Sequence, residues 1–432
     1  MVSIIRTIFV PGLMTDGFWK KRHALHFLQK YADVNNQVYI FMWKNKLLVC
    51  MLSLLLGWNL PATGQDSIRF SLLTCAPGPE IYALFGHTAI RYENFDRKID
   101  LVFNYGMFSF NTPNFIMRFV KGETDYQLGI VPFRYFEAEY ALRGSDVYQQ
   151  ELNLTQTEKE DLLHRLERNY LPENRTYRYN YFYDNCTTRA RDRIEQSIAG
   201  QVVYGDSLNG RTYRSVVHEF TSGAEWSEFG IDLCLGKEAD EDITQRQQMF
   251  SPFYMKHYAS QARIVDAEGK TRPLVLAETK IVQGEPVEEV PEFPLSPMAC
   301  ASLFLLLCVL MAWGQWKTAK AYWGWTAFLL LLQGVAGCII AFLFFFSIHP
   351  TVGSNWMLMW LNPLPLCYLP VLVYREIKGK KDYYHWVNLV YLTLFIAIVP
   401  LCGQKINLTV LPLALGLLVN SAAYVLVWKK KQ

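Results

Sequence analysis

The chain has little of what several common chemistries require. Of its 432 residues only 19% are charged, and 42 lysines and arginines against 39 acidic residues leave a net charge of +3. The basic residues gather in no stripe, which argues against a nucleic-acid partner. Histidine is scarce, at eight, and His164, His218 and His257 lack the spacing of a ligand set, so no metal site is read. No Gly-x-Ser-x-Gly elbow occurs, which removes the serine-hydrolase reading that Val10-Pro11-Gly12-Leu13-Met14-Thr15 would otherwise invite.

Apolar sequence is abundant. A hydrophobic content of 51% and a mean hydropathy of +0.06 exceed those of an ordinary soluble domain, and the excess lies in the last third, almost continuous from Pro297 to Trp428. Five membrane spans are predicted, at 298–316, 323–347, 356–374, 386–402 and 407–428. Lys317 and Lys320 follow the first, Arg375, Lys378, Lys380 and Lys381 the third, and Lys429, Lys430 and Lys431 the fifth, so these ends are expected in the cytoplasm. An odd number of spans then puts the preceding domain on the opposite, extracytoplasmic side. Trp313, Trp316, Trp323, Trp325, Trp356, Trp386 and Trp428 fit an interfacial aromatic belt. Asn362 with Pro363, Pro365 and Pro370 makes the third span irregular, and such breaks face protein or a cavity rather than lipid.

The other end agrees. Basic Met42–Lys46, apolar Leu47–Leu60 and Pro61-Ala62-Thr63-Gly64 read as a signal peptide over 42–64, which makes residues 1–41 a spurious upstream extension. The expected organisation is therefore an extracytoplasmic domain over 65–280, an acidic, proline-stiffened linker over 281–297 and a membrane domain over 298–432. Within the extracytoplasmic domain, strands are predicted at Gln65–Leu73, His87–Tyr92 and Leu101–Tyr105, and a short helix or turn at Glu80–Phe85. An amphipathic helix covers Gln156–Asn169, and another runs from Asn185 or Cys186 to Ala199 with Asp184 as its cap.

Two motifs carry the chemistry: Phe85-Gly86-His87-Thr88, where a histidine leaves a glycine turn into a strand, and Asp184-Asn185-Cys186-Thr187-Thr188-Arg189, where a cysteine opens a helix. That pairing suits a thiolate nucleophile and its base. A first-turn position lowers a thiol's pKa and offers backbone N–H groups to an oxyanion.

Histidine before cysteine reverses the usual papain order and resembles the circularly permuted NlpC/P60 or LRAT-like branch. With Thr74-Cys75-Ala76-Pro77-Gly78, Phe103-Asn104-Tyr105-Gly106 and the multi-span tail added, the chain from Met42 onward resembles the Lnb family of Gram-negative lipoprotein N-acyltransferases. The resemblance implies an α+β papain-like periplasmic domain followed by an all-α bundle of five transmembrane helices in the inner membrane, C-terminus cytoplasmic. It implies acyl transfer from a phospholipid to the α-amine of a diacylglyceryl-cysteine lipoprotein through a Cys186 thioester, with His87 as base and no cofactor. Asn104 or Asp100 would orient the imidazole. Asn185, Tyr105, Arg189, His349 and Asn355 are the residues expected to bind substrate, Arg189 with Arg191 and Asp192 at lipid head groups, and His349 and Asn355 from the loop between spans two and three.

Three rival readings remain. The same dyad serves a cysteine hydrolase, a cell-wall amidase or a phospholipase. A non-catalytic anchored binding protein would keep His87 and Cys186 apart or sealed. Three exported cysteines permit three pairings, and a free Cys186 calls for a Cys75–Cys234 bond. Cys300, Cys308, Cys338 and Cys367 are expected to pack as small hydrophobes.

Overall fold

A computed structural model describes residues 67–285 and 293–430, apart from 79, 81, 82 and 110–112. The expected extension, the signal peptide and the middle of the linker lie outside the described residues.

In chain order the periplasmic elements are β1 (Ile68–Cys75), β2 (His87–Asn94), β3 (Ile99–Met107), α1 (Phe115–Lys121), β4 (Asp125–Pro132), α2 (Phe133–Leu142), β5 (Val147–Leu152), α3 (Gln156–Tyr170) and β6 (Thr176–Arg178). They continue with α4 (Cys186–Ser197), β7 (Gln201–Val203), α5 (Tyr213–Thr221), α6 (Glu225–Cys234), α7 (Gln245–Gln248), α8 (Pro252–Gln261), β8 (Arg263–Val265), β9 (Thr271–Pro273) and β10 (Val275–Val282). The main sheet is antiparallel, in the order β10-β5-β1-β2-β3-β4-β6.

Alternation along the strands divides two cores. Phe70, Leu72, Ile90, Tyr92, Phe103 and Tyr105 face helices α3, α4, α5 and α8, against Leu162, Leu166, Ala190, Ile194, Val216 and Tyr258. Leu73, Cys75, Ala89 and Val102 face the other way, onto Phe133, Phe136 and Tyr140 of α2. A strand's period of two makes both faces apolar here, because both are covered.

α3 starts at a capping box, Thr155 with Glu158. α4 starts at another, Asn185 with Thr188, so the cap is Asn185 rather than the expected Asp184.

Five spans long and apolar enough to cross a membrane follow among the described residues, Pro297–Thr318, Trp323–Phe346, Trp356–Ile377, Tyr384–Leu401 and Val410–Lys430, built on α9 (Pro297–Thr318), α10 (Trp323–Phe346), α11 (Leu364–Ile377), α12 (Tyr384–Ile398) and α13 (Val410–Lys430). The third span is broken as expected. Short 3₁₀ turns at Val352–Ser354 and Trp356–Met359 precede α11, and the Gln333 side chain donates to the Trp360 carbonyl at 2.7 Å. Where an i→i−4 ladder stops inside a bundle, such a side chain must take up the freed backbone oxygen.

Candidate functional site

Gly86 turns the chain into β2 at φ +73°, where a Cβ would stand 2.5 Å from the Cys75 carbonyl oxygen. The turn delivers His87 as the first residue of β2, opposite Cys75. On β3 the register against β4 shifts between Asn104 and Met107, and such bulges re-aim side chains. Asn104 folds back so that its Oδ1 accepts the Gly106 N–H at 2.8 Å and lies 2.8 Å from His87 Nε2. An oxygen already accepting from an amide is an acceptor for the imidazole too. His87 Nε2–H is therefore the donor, and Nδ1 is left for the thiol.

Cys186 is the first residue of α4. Its Sγ lies 3.8 Å from Thr187 Oγ1, and the Thr187 and Thr88 hydroxyls, 3.0 Å apart, tie α4 to β2. Burial pushes the Cys186 thiol up, but the charge and hydrogen bond of His87, with the Thr88 N–H and the Thr187 hydroxyl, outweigh it and hold the thiol below its ordinary range. Burial likewise lowers His87, and the adjacent Cys186 charge and hydrogen bond, then Asn104, more than reverse that. Each group thus favours the ionised form of the other. Both side chains are partly exposed.

Tyr126 and Tyr179 stack with ring centroids 4.2 Å apart, both within range of the Cys186 charge. Burial, followed by the charge of Cys186, raises both phenols, so they stay neutral and present aromatic surface.

The remaining expected site residues lie elsewhere or are otherwise engaged. Asp100 forms a two-point ion pair with Arg91, at 2.9 and 2.8 Å, and Asn104 is the residue that meets His87. Tyr105 is fully buried, its hydroxyl donating to Asn169 Oδ1 at 2.9 Å. Asn185 is 3% exposed. Its oxygen accepts the Thr187 and Thr188 N–H groups, and its nitrogen donates to the Tyr181 and Phe250 carbonyls. The cap thereby consumes two first-turn donors and leaves the Cys186 N–H outside it, where several free amides were expected. Arg189 clamps Asp184 at 2.6 and 2.7 Å with its guanidinium over the Tyr177 ring, which holds the turn before the nucleophile.

His349 and Asn355 are far along the chain and serve other contacts. His349 Nε2–H donates to the Phe119 carbonyl at 2.6 Å. Asn355, 4% exposed, donates to the Leu233 and Cys234 carbonyls and accepts from Met357 and Gln404. The expected Cys75–Cys234 bond is not formed; both thiols are free. Cys75 is buried among the α2 side chains, at the end of a strand, while Cys234 ends α6 against the membrane loops.

Gly106, Tyr126 and Tyr179 carry roles that the motifs did not separate out. A Cβ on Gly106 would stand 2.6 Å from His87 Cε1, so the glycine leaves room for the ring. The alternation of Tyr177, Tyr179, Tyr181 and Tyr183 before Cys186 is the signal in the sequence for an aromatic wall.

Sequence spacing also hid His218, Glu228 and Asp232, whose ligand atoms lie within 4.8 Å of one another. The Asp232 carboxylate is engaged by Arg214, His218 and Asn407 at 2.7, 2.9 and 3.0 Å, and Glu228 accepts from Thr221 at 2.7 Å. These bonds fasten α5 and α6 to the loop before α13.

Fold and site together define a membrane-anchored α+β domain with a half-buried Cys–His–Asn constellation. Residues 57–219 match the model of the Lnb N-terminal periplasmic domain, and residues 288–432 that of the Lnb transmembrane domain. The chain belongs to the Lnb family, and is thereby a lipoprotein-related enzyme of the inner membrane with a periplasmic N-terminal domain. No curated protein and no solved structure matches it.

Proposed function

We propose that this chain is an apolipoprotein N-acyltransferase that moves an acyl chain from a phospholipid to the α-amine of a diacylglyceryl-cysteine lipoprotein through a thioester on Cys186. The observation that carries the reading is the mutually ionising Cys186–His87 pair, oriented by Asn104 and bordered by the Tyr126–Tyr179 stack. An aromatic border suits an acyl chain, whereas a cell-wall amidase needs a polar cleft for glycan and peptide.

In the first half-reaction the Cys186 thiolate adds to the phospholipid ester carbonyl. The tetrahedral oxyanion collapses, the C–O bond breaks, and His87 Nδ1–H protonates the departing lysophospholipid oxygen. The Cys186 N–H at the positive end of α4 is the donor placed to receive the oxyanion. In the second, the neutral lipoprotein amine attacks the thioester, His87 takes its proton, and the C–S bond breaks to regenerate the ion pair. Tethering the site to the membrane raises the effective concentration of both substrates, which share one leaflet. The C-terminus is cytoplasmic in this account, as the lysines after the first, third and fifth spans require.

Replacing Cys186 by Ala in a strain that depends on this protein, followed by mass spectrometry of lipoprotein amino termini, tests the reading. Loss of the third acyl chain, with the variant still inserted in the membrane, is the expected result. Unchanged N-acylation removes Cys186 as nucleophile, and release of free fatty acid by the parent chain without transfer to an amine marks a phospholipase instead.

A further inference from the structure

Helix α1 buries none of its residues. Ile116 is 78% exposed, Met117 53% and Phe119 52%, an apolar face that water disfavours. Three hydrogen bonds fix its position. The Ile348 N–H donates to the Lys121 carbonyl at 2.9 Å, the Ser347 hydroxyl to the Val120 carbonyl at 2.9 Å, and His349 to the Phe119 carbonyl. Those loop residues follow directly on α10, whose last residues, Phe345 and Phe346, are themselves exposed. The apolar surface of a membrane-spanning helix therefore continues onto α1 at the level where that helix leaves the bilayer. Lys121 closes α1 with a basic side chain, as suits a helix end among head groups, while Arg118 is held by Asp125 and the Glu123 carbonyl at 2.5 and 3.0 Å.

A second observation starts from the same helix. Phe119 stacks on Phe115 at 6.1 Å, Phe115 on Phe108 at 6.2 Å, Phe108 on Tyr126 at 4.8 Å, and Tyr126 on Tyr179, which lies within range of the Cys186 charge. The interplanar angles run from 18 to 22°. None of these rings is fully buried, so the strip presents a half-open aromatic surface from the membrane to the thiol.

We propose that α1 lies in the interface of the periplasmic leaflet, and that the Phe119–Phe115–Phe108–Tyr126–Tyr179 strip is the track on which a phospholipid acyl chain lies, its ester at Cys186 and its tail toward the bilayer. The second half of this proposal rests on the acyl-transfer reading. A track of flat aromatic faces shields methylenes from water without selecting one chain, and the leaflet supplies the donor without its full extraction.

The test uses the full-length protein in phosphatidylethanolamine–phosphatidylglycerol vesicles. Met117→p-benzoylphenylalanine, irradiated, is expected to yield lipid adducts as readily as the same replacement at Leu310, which is exposed on α9. Adducts at 310 without adducts at 117 overturn the interfacial helix. Phe108→Ala and Ile116→Glu are each expected to slow acylation of Cys186 by vesicle lipid about tenfold or more while its alkylation by iodoacetamide, which reports an intact site, keeps the parent's rate. Parent-like acylation in both variants overturns the track. A parent chain that no vesicle lipid acylates overturns the track together with the acyl-transfer reading, and the photoadduct at 117 still decides where α1 lies.

Discussion

The Cys186 end of the periplasmic domain and its seam with the membrane loops use the same residue types to opposite ends. At the seam every named polar group closes on another protein group. Asn355 and Gln404 serve backbone carbonyls, Arg214 is held by Asp232 and Asp240 at 2.7 and 2.9 Å, and Asn407 donates to Asp232. At the Cys186 end, Asn104 satisfies one side of His87 and the Asn185 cap satisfies two amides, while Nδ1, Sγ and the Cys186 N–H keep capacity for a reacting group. Closed networks hold domains together; open valence beside an ion pair is what nucleophilic chemistry needs. Changes at the open end should therefore cost rate, and changes at the closed seam should cost stability.

Cys186→Ala breaks the comparison hardest. Acyl transfer is expected to fall by at least about a thousandfold, with the thermal transition in detergent nearly unmoved. Asp232→Ala is the mirror case. It leaves the Arg214 guanidinium, whose side chain is 2% exposed, with Asp240 as its remaining carboxylate, and a loss of about 2–3 kcal/mol is expected for the missing charge-assisted bonds. Denaturation monitored by near-ultraviolet circular dichroism reads it, and a parent-like transition would contradict the closed-seam description. Gly106→Ala is expected to displace the His87 ring and reduce turnover by about a hundredfold in a chain that still folds.

Titration sharpens the contrast further. The thiol is held below its ordinary value of 9.0 and the imidazole above its ordinary 6.5, each by the other's charge and hydrogen bond, so the two titrate as a coupled pair. Iodoacetamide alkylation of Cys186 should begin at lower pH in the parent than that of an ordinary cysteine thiol. In His87→Ala it should begin at higher pH, because burial then raises the thiol with less to oppose it. The smallest expected effect is at His218. Its hydrogen bond to Asp232, opposed by burial, raises its pKa above 6.5. That contribution is fully present below pH 6.5 and lost as pH rises through the folded value. The midpoint of thermal unfolding should fall slightly over that interval in the parent, and His218→Gln should remove the slope.

Much of this was legible in the sequence. Five apolar runs with lysine-rich flanks gave the spans, because length and charge alone govern membrane crossing. The positions of His87 at the start of a strand and Cys186 at the start of a helix were legible because a glycine turn before a strand and a polar cap before a helix are local signals. The substrate assignments were not. Asn185, Asn355, Arg189 and Tyr105 are polar residues in motif-like settings, yet their side chains are engaged by backbone groups or partners that only the fold brings near, Phe250 for Asn185 and Leu233 for Asn355. Asp100 and Asn104 share a strand, and the bulge after Asn104, which turns it toward His87, leaves no mark in a single sequence. The Cys75–Cys234 expectation followed from the compartment, which says that thiols can pair and not which of them meet.

The most direct measurement is the intact mass of the purified protein after incubation with phospholipid vesicles in the absence of any lipoprotein acceptor. The account predicts one added acyl chain, mapped to Cys186, labile to neutral hydroxylamine and discharged by a diacylglyceryl-cysteine peptide onto its amine. A chain that transfers acyl groups to that peptide while Cys186 stays unmodified, or that does so equally with Cys186→Ala, would contradict it.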